Sequence, residues 1–166
     1  MNFNFGLFGN WEKPPHTPRR NIFRNIFKIF SSKHKVPKYK TVLHKKSRGK
    51  IPQEKVSVLY SSSKINLNFT IQSCVDYDTI TLRLFEILAC KGFCISDRTP
   101  SAEKLLDGCV VFTDGGKDLE EKIKYYLKHP AERAAIAQKG YEYVTKHASI
   151  EARLNELYQY LKGLNG

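Results

Sequence analysis

Residues 64–92 read KINLNFTIQSCVDYDTITLRLFEILACKG, and this stretch sets the architecture of the chain. Ile65, Leu67 and Phe69 alternate with Asn66 and Asn68, the period of a strand. A polar loop follows, in which Asp76, Asp78 and Thr79 are good helix N-cap types. From Thr81 onward Leu82, Leu84, Phe85, Leu88 and Ala89 fit a mostly buried helix, and Gly92 is expected to end it. A strand, a loop and the open end of a helix together favour an anion, because unpaired N–H groups and the helix dipole both attract negative charge. Glu86 lies about two turns into that helix on a largely apolar face. A carboxylate there needs donors, and sugar hydroxyls are suitable ones.

Outward from this stretch, strand and helix signals alternate. Residues 4–8 read as a first strand and residues 21–30 as a basic amphipathic helix, with Ile22, Phe23, Ile26, Phe27 and Phe30 on one face. Residues 39–44 read as a strand, and Pro52 fits the first turn of a short helix to about Tyr60. Downstream come a strand over 93–96, a helix from Pro100 to Leu106, a strand over 109–113 and a turn at Gly115-Gly116. Asp118 is expected to cap a helix striped by Leu119, Ile123, Tyr126 and Leu127. Pro130 opens the next helix and Ser149 caps the last, where Leu154, Leu157, Tyr158 and Leu161 line one side. The pattern predicts an α/β fold: a Rossmann-like parallel sheet with helices on both faces and extra helices at the C-terminal end. The whole chain, 1–166, is expected to be one domain, with a basic first part over 1–52 and a motif-bearing part over 53–166.

The 166 residues suffice to bury a core. Of the 28 Lys and Arg residues, thirteen fall in residues 1–50 against a single acid, Glu12. The remainder is balanced, so the net charge of +12 belongs to one segment and implies a local anion-facing surface. Cys74, Cys90, Cys94 and Cys109 have neither disulfide-framework nor zinc spacing and read as reduced, packed thiols. No apolar run is long enough to span a membrane, and the first residues lack a signal-peptide pattern, so a cytoplasmic location is expected.

Open parallel sheets bind ligands beyond the carboxyl ends of their strands. Three loops are expected there: residues 9–20, 44–52 and 73–81, two of them basic. This convergence suits a nucleotide diphosphate. Gly9 and Asn10 suit a tight turn near phosphate, and Arg19 or Arg20 can offset its charge. Lys45, Lys46 and Arg48 are weaker candidates for the same task. Arg83 either pairs with Glu86 three residues on or binds the diphosphate. Asp76-Tyr77-Asp78 spells a two-carboxylate metal pattern, but no metal is expected, since two acids two apart are common.

Residues 59–70 (LYSSSKINLNFT), 81–97 (TLRLFEILACKGFCISD) and 119–144 (LEEKIKYYLKHPAERAAIAQKGYEYV) resemble the C-terminal, donor-binding half of retaining GT-B glycosyltransferases. The resemblance is nearest the CgeB-like, "glycosyl transferases group 1" family, and extends more weakly to GLFGNWEK at residues 6–13. The superfamily carries two acids eight residues apart. Here these are Asp78, where the family usually has Glu, and Glu86. The resemblance implies that Glu86 accepts from the nucleotide ribose and that Asp78 lies near the donor sugar. It also implies that Asp78 and a basic residue such as Arg20 take the catalytic roles. Gly9, Asn10, Arg19, Lys50, Ile51, Thr79, Ile80 and Arg83 would bind the donor, with Lys50 and Ile51 in the base-holding loop. No cofactor is implied beyond the nucleotide-diphosphate sugar itself. Sugar transfer to a hydroxyl acceptor with retention would need an acceptor-binding half, a separate chain or domain. The alternative is a non-catalytic module binding a nucleotide sugar or an anionic membrane surface through the 21–30 helix. A nucleic-acid partner lacks any recognisable motif.

Overall fold

β1 (Asn66–Asn68), β2 (Cys94–Asp97) and β3 (Val111–Thr113) pair in parallel in the order β1-β2-β3. The computed structural model describes residues 6–8 and 47–164. The chain divides into two units, residues 1–53 and 54–166. In the first, Leu7 and Ser47 form a parallel bridge, and the Arg48 N–H donates to the Leu7 carbonyl at 2.8 Å. The expected basic helix over 21–30 and strand over 39–44 lie outside the described residues.

The second unit is a Rossmann-like sheet with helices on both faces. A 3-10 turn (Gln53–Lys55) leads into α1 (Val56–Ser62), which precedes β1. The loop after β1 holds a short α2 (Gln72–Asp76), then α3 (Leu82–Ala89) leads to β2. α4 (Pro100–Leu106) connects β2 to β3, and α5 (Gly116–Lys128), α6 (Pro130–His147) and α7 (Ile150–Leu164) complete the chain. Alternation along the strands divides the core. Cys94 joins Leu84, Ile87, Leu88, Leu106 and Val144 on one face. Ile95 joins Phe93 and Ala137, with Leu67, Ile123 and Tyr126 against them, on the other. Leu84, Ile87 and Leu88 follow helical spacing and are almost wholly buried, each worth roughly 1.5–3 kcal/mol.

In β1 the buried face is the asparagine face, not the apolar one: Asn66 and Asn68 are buried while Leu67 is half-buried and Phe69 exposed. The inversion is sustained by hydrogen bonds. Asn66 Nδ2 donates to the carbonyls of Tyr60 at 3.0 Å and Phe93 at 3.2 Å, and Asn68 Nδ2 donates to Ser96 Oγ at 3.0 Å. Among the described residues no buried side-chain nitrogen or oxygen lacks a partner.

The stop of α3 also differs from expectation. Lys91, not Gly92, adopts the left-handed conformation, with φ 54°. The Gly92 N–H donates to the Ile87 carbonyl at 2.9 Å and the Lys91 N–H to that of Leu88 at 3.0 Å, the paired bonds of a Schellman ending. Gly92 is required by space instead, since a Cβ there would lie 2.8 Å from Asn66 Nδ2 and 2.9 Å from Ile87 Cγ2. Gly140 likewise lets α6 approach α3, because its Cβ would lie 2.7 Å from Leu88 Cδ2.

Asp118 does not cap α5. The N-cap is Gly115, with φ 81°, and Asp118 sits inside the first turn. Its carboxylate accepts from Lys122 Nζ at 2.7 Å, Thr113 Oγ1 at 2.6 Å and the Asp114 N–H at 3.1 Å. These bonds, the Lys122 one first, bring its pKa from 3.8 down to about 2. Ser149, by contrast, caps α7 as expected, accepting from the Ala152 N–H at 3.1 Å.

Two outcomes follow from this packing. Gly92→Ala should lower unfolding stability by about 1–3 kcal/mol in urea titration, as overpacking does; a neutral result would contradict the close approach. Asp118 is more acidic folded than unfolded, so its contribution is complete above about pH 4 and lost as pH falls toward 2. The gap in melting temperature between the parent and Asp118→Asn should therefore close over that window. A gap constant with pH would contradict the assignment.

Candidate functional site

At the carboxyl ends of β1 and β2 a narrow cleft opens between the loop before α3 and the start of α4. Asn68, Thr70, Thr79, Ile80, Thr81, Ser96, Asp97 and Thr99 line it, with Leu84 and Ala102 behind. This is where a parallel sheet offers a ligand the free ends of its strands.

The floor is a chain of polar contacts. Thr81 Oγ1 lies 3.4 Å from its acceptor Asn68 Oδ1, and Asn68 in turn donates to Ser96 Oγ. Ser96 Oγ donates to Asp97 Oδ1 at 3.1 Å. The other Asp97 oxygen accepts from the Thr70 N–H at 2.7 Å and from Thr70 Oγ1 at 2.6 Å. Asp97 thereby pins the loop that leaves β1 to the end of β2.

The opposite rim is pinned by Asp78. Its backbone is left-handed, φ 53°, which Asp tolerates better than most residues. Its carboxylate accepts from the Ser101 N–H at 2.8 Å and from Ser101 Oγ at 2.6 Å. The Ser101 hydroxyl first, and then its N–H, hold the Asp78 carboxyl below the usual carboxylate range. Asp78 thus caps α4, beside the N-cap Thr99, and not the helix that follows it in sequence. The N-cap of α3 is Thr81, whose side chain makes no capping bond. In consequence the backbone N–H groups of Ile80, Thr81, Leu82 and Arg83 have no acceptor among the described residues. Open donors at a helix start, two of them on the cleft-lining residues Ile80 and Thr81, are the kind of group that favours an anion.

Of the residues singled out in the sequence, Thr79 and Ile80 line this cleft and Asp78 secures its rim. Arg83 is exposed and forms no ion pair among the described residues, so of its two readings the pairing with Glu86 is not formed. Glu86 is half-buried on α3 and does not line the cleft. Its carboxylate has no hydrogen-bond or ion-pair partner among the described residues, although its carbonyl accepts from the Cys90 N–H at 3.2 Å. Its charge is felt by Tyr60 and Cys90, whose pKa values are raised first by burial and then by Glu86. Asp76 accepts from Gln72 Nε2 at 2.9 Å and is not aimed at Asp78's partners. Lys50 is exposed and Ile51 half-buried, both in the first unit. Gly9, Asn10, Arg19, Arg20, Lys45 and Lys46 lie outside the described residues, and with them residues 9–20 and 44–46 of the three loops expected to converge. All four cysteines are free thiols.

Sequence reading missed Asn68, Thr70, Thr81, Ser96, Asp97 and Thr99. Two signals were present: asparagines at alternate positions of an otherwise apolar strand, and the polar Ser-Asp ending of the next.

A family described as glycosyl transferase-like matches residues 4–159. Among solved structures, the chain is similar to sucrose-phosphate synthase from Thermosynechococcus elongatus. The TM-score is 0.57 at 16% identity, over 96% of this chain and 38% of that one. That likeness is one of fold, and this chain spans well under half the length of that protein. No match is found among curated proteins. Among the described residues no helix is long and apolar enough to cross a membrane.

The two carboxylate anchors yield an outcome that needs no ligand. In Asp78→Ala the N–H groups of Thr79 and Leu84, bonded in the parent to the carbonyls of Cys74 and Thr81, should exchange with solvent markedly faster while those of β2 are unchanged. Equal protection in parent and variant would mean that the Ser101 bonds do not hold the rim.

Proposed function

This chain belongs to the glycosyl transferase-like family, and we propose that it supplies the donor-binding half of a retaining GT-B type glycosyltransferase of the CgeB-like kind. The observation that carries the reading is the cleft at the ends of β1 and β2, with four open N–H groups at the start of α3. The donor's diphosphate is placed against those groups. As the sugar–oxygen bond breaks, negative charge grows on the departing diphosphate. Preorganised N–H donors stabilise that charge more than they stabilise the intact donor, which lowers the barrier. The hydroxyl of Thr79, exposed at the rim, supplies a further donor beside it.

Arg83 adds positive charge at the start of α3, and the resemblance assigns Arg19 and Arg20 to offsetting the charge of the leaving diphosphate. Glu86, half-buried and with no donor to its carboxylate among the described residues, takes the ribose hydroxyls. On the family resemblance alone, Lys50 and Ile51 are assigned to the base and Gly9 and Asn10 to the phosphates. Asp78 serves by keeping the rim in place; direct contact with the donor sugar would require it to release Ser101. The hydroxyl acceptor is bound by a separate half, and the complete transfer is a property of the two together.

The test is thermal-shift screening against UDP, GDP, ADP and TDP and their sugars. One series should raise the melting temperature saturably, by about 2.7 kcal/mol of stability at a hundredfold excess over Kd. Glu86→Gln should weaken that ligand about tenfold or more, the worth of a charged hydrogen bond. No response to any of the four series would overturn the reading, and an unchanged affinity in Glu86→Gln would remove Glu86 from it.

A further inference from the structure

The cleft is narrower than the ligand proposed for it. It encloses about 190 Å³, open mouth included, against roughly 300 Å³ for the smallest ligand pockets. Thr79, Ile80 and Thr81 form one wall, Thr99 and Ala102 the other. Asp78 and Ser101 adjoin these walls in sequence, and the two Asp78 oxygens bridge between them. One accepts from the Ser101 N–H at 2.8 Å, the other from Ser101 Oγ at 2.6 Å. The bridge therefore limits how far the walls part. Three features make it releasable. It lies at the surface, where water can replace both bonds. α4 keeps a cap without it, because Thr99 Oγ1 accepts from the Ala102 N–H at 3.3 Å. Asp78 also holds it with a left-handed backbone, φ 53°, a conformation that costs free energy in a residue with a Cβ and that opening can relax.

We propose that the Asp78–Ser101 bridge is a gate, closed in the empty chain and broken when a nucleoside diphosphate enters between the walls. The inference rests on the placement of the diphosphate at the start of α3. Entry brings an anion to N–H groups that begin two residues after the Asp78 carboxylate, and like charges at that range repel. The entering phosphates thus drive the carboxylate off Ser101 while they part the walls. A closed gate weakens binding, because only the open fraction of molecules accepts the ligand and the apparent affinity falls by that fraction.

Ser101→Ala isolates the gate. It removes the shorter bond, keeps the Asp78 charge and places a good helix former at an exposed position. In calorimetry of the full chain with UDP, GDP, ADP and TDP, the variant should bind the preferred diphosphate about three- to tenfold tighter than the parent. A second measurement needs no variant. The Ser101 N–H of the parent should exchange with solvent faster at saturating diphosphate than in its absence, the reverse of the usual protection by a ligand. Equal or weaker binding by Ser101→Ala, with the parent binding, overturns the gate and leaves the donor-binding reading standing. Ser101 exchange that is unchanged or slower at saturation does the same. Binding by the variant alone supports both. No binding by either chain overturns the donor-binding reading and the gate together.

Discussion

A buried polar atom without a partner costs about 1–3 kcal/mol, and that constraint shapes the working end of this domain. β1 turns its asparagines inward, where Asn68 is almost completely enclosed. They are tolerable only because β2 pairs in a register that brings Ser96 opposite Asn68 and Cys94 opposite Asn66. A slip of one residue would present Leu67 to that face and strand both amides. The same polar thread then leaves the sheet through Asp97 and reaches Thr70. Strand register, loop position and cleft floor are therefore one arrangement rather than three.

Carboxylates carry this arrangement across chain breaks that helices and strands do not bridge. Asp97 ties the β1 loop to β2, Asp78 ties the loop before α3 to α4, and Asp118 ties β3 to α5. Each is used away from its own element or at its very edge, and each takes backbone N–H groups as well as hydroxyls. By capping α4, Asp78 leaves the start of α3 without a cap. The open donors of the cleft are thus a consequence of where a neighbouring carboxylate was spent. That links a local capping choice to the capacity to receive an anion.

The sequence made the order of elements readable because each helix and strand has its own period and punctuation. The boundaries Pro100–Leu106, read from the proline, emerged without correction. What periodicity could not show was which face of β1 is inside, since Asn66 and Asn68 look like solvent-facing residues until their partners on β2 and at Tyr60 are known. For the same reason Asp78 read as the cap of the nearest helix. Its real partner, Ser101, is 23 residues away and is reached only through the fold. Gly92 read as a helix stop, whereas its small size is what matters, because Asn66 and Ile87 crowd the site. Thr79 and Ile80 were found by position at a helix start; Asp97 and Thr70 were missed because their relation is tertiary.

The most direct measurement of whether this cleft is an anion receptor is an amide NMR titration of the full chain with a nucleoside diphosphate. The largest shifts are expected at the backbone N–H groups of residues 80–83, with smaller ones at Thr70 and Thr99 and none along α7. Shifts centred elsewhere in the chain, or an undisturbed spectrum at saturating ligand, would contradict the placement of the diphosphate at the start of α3.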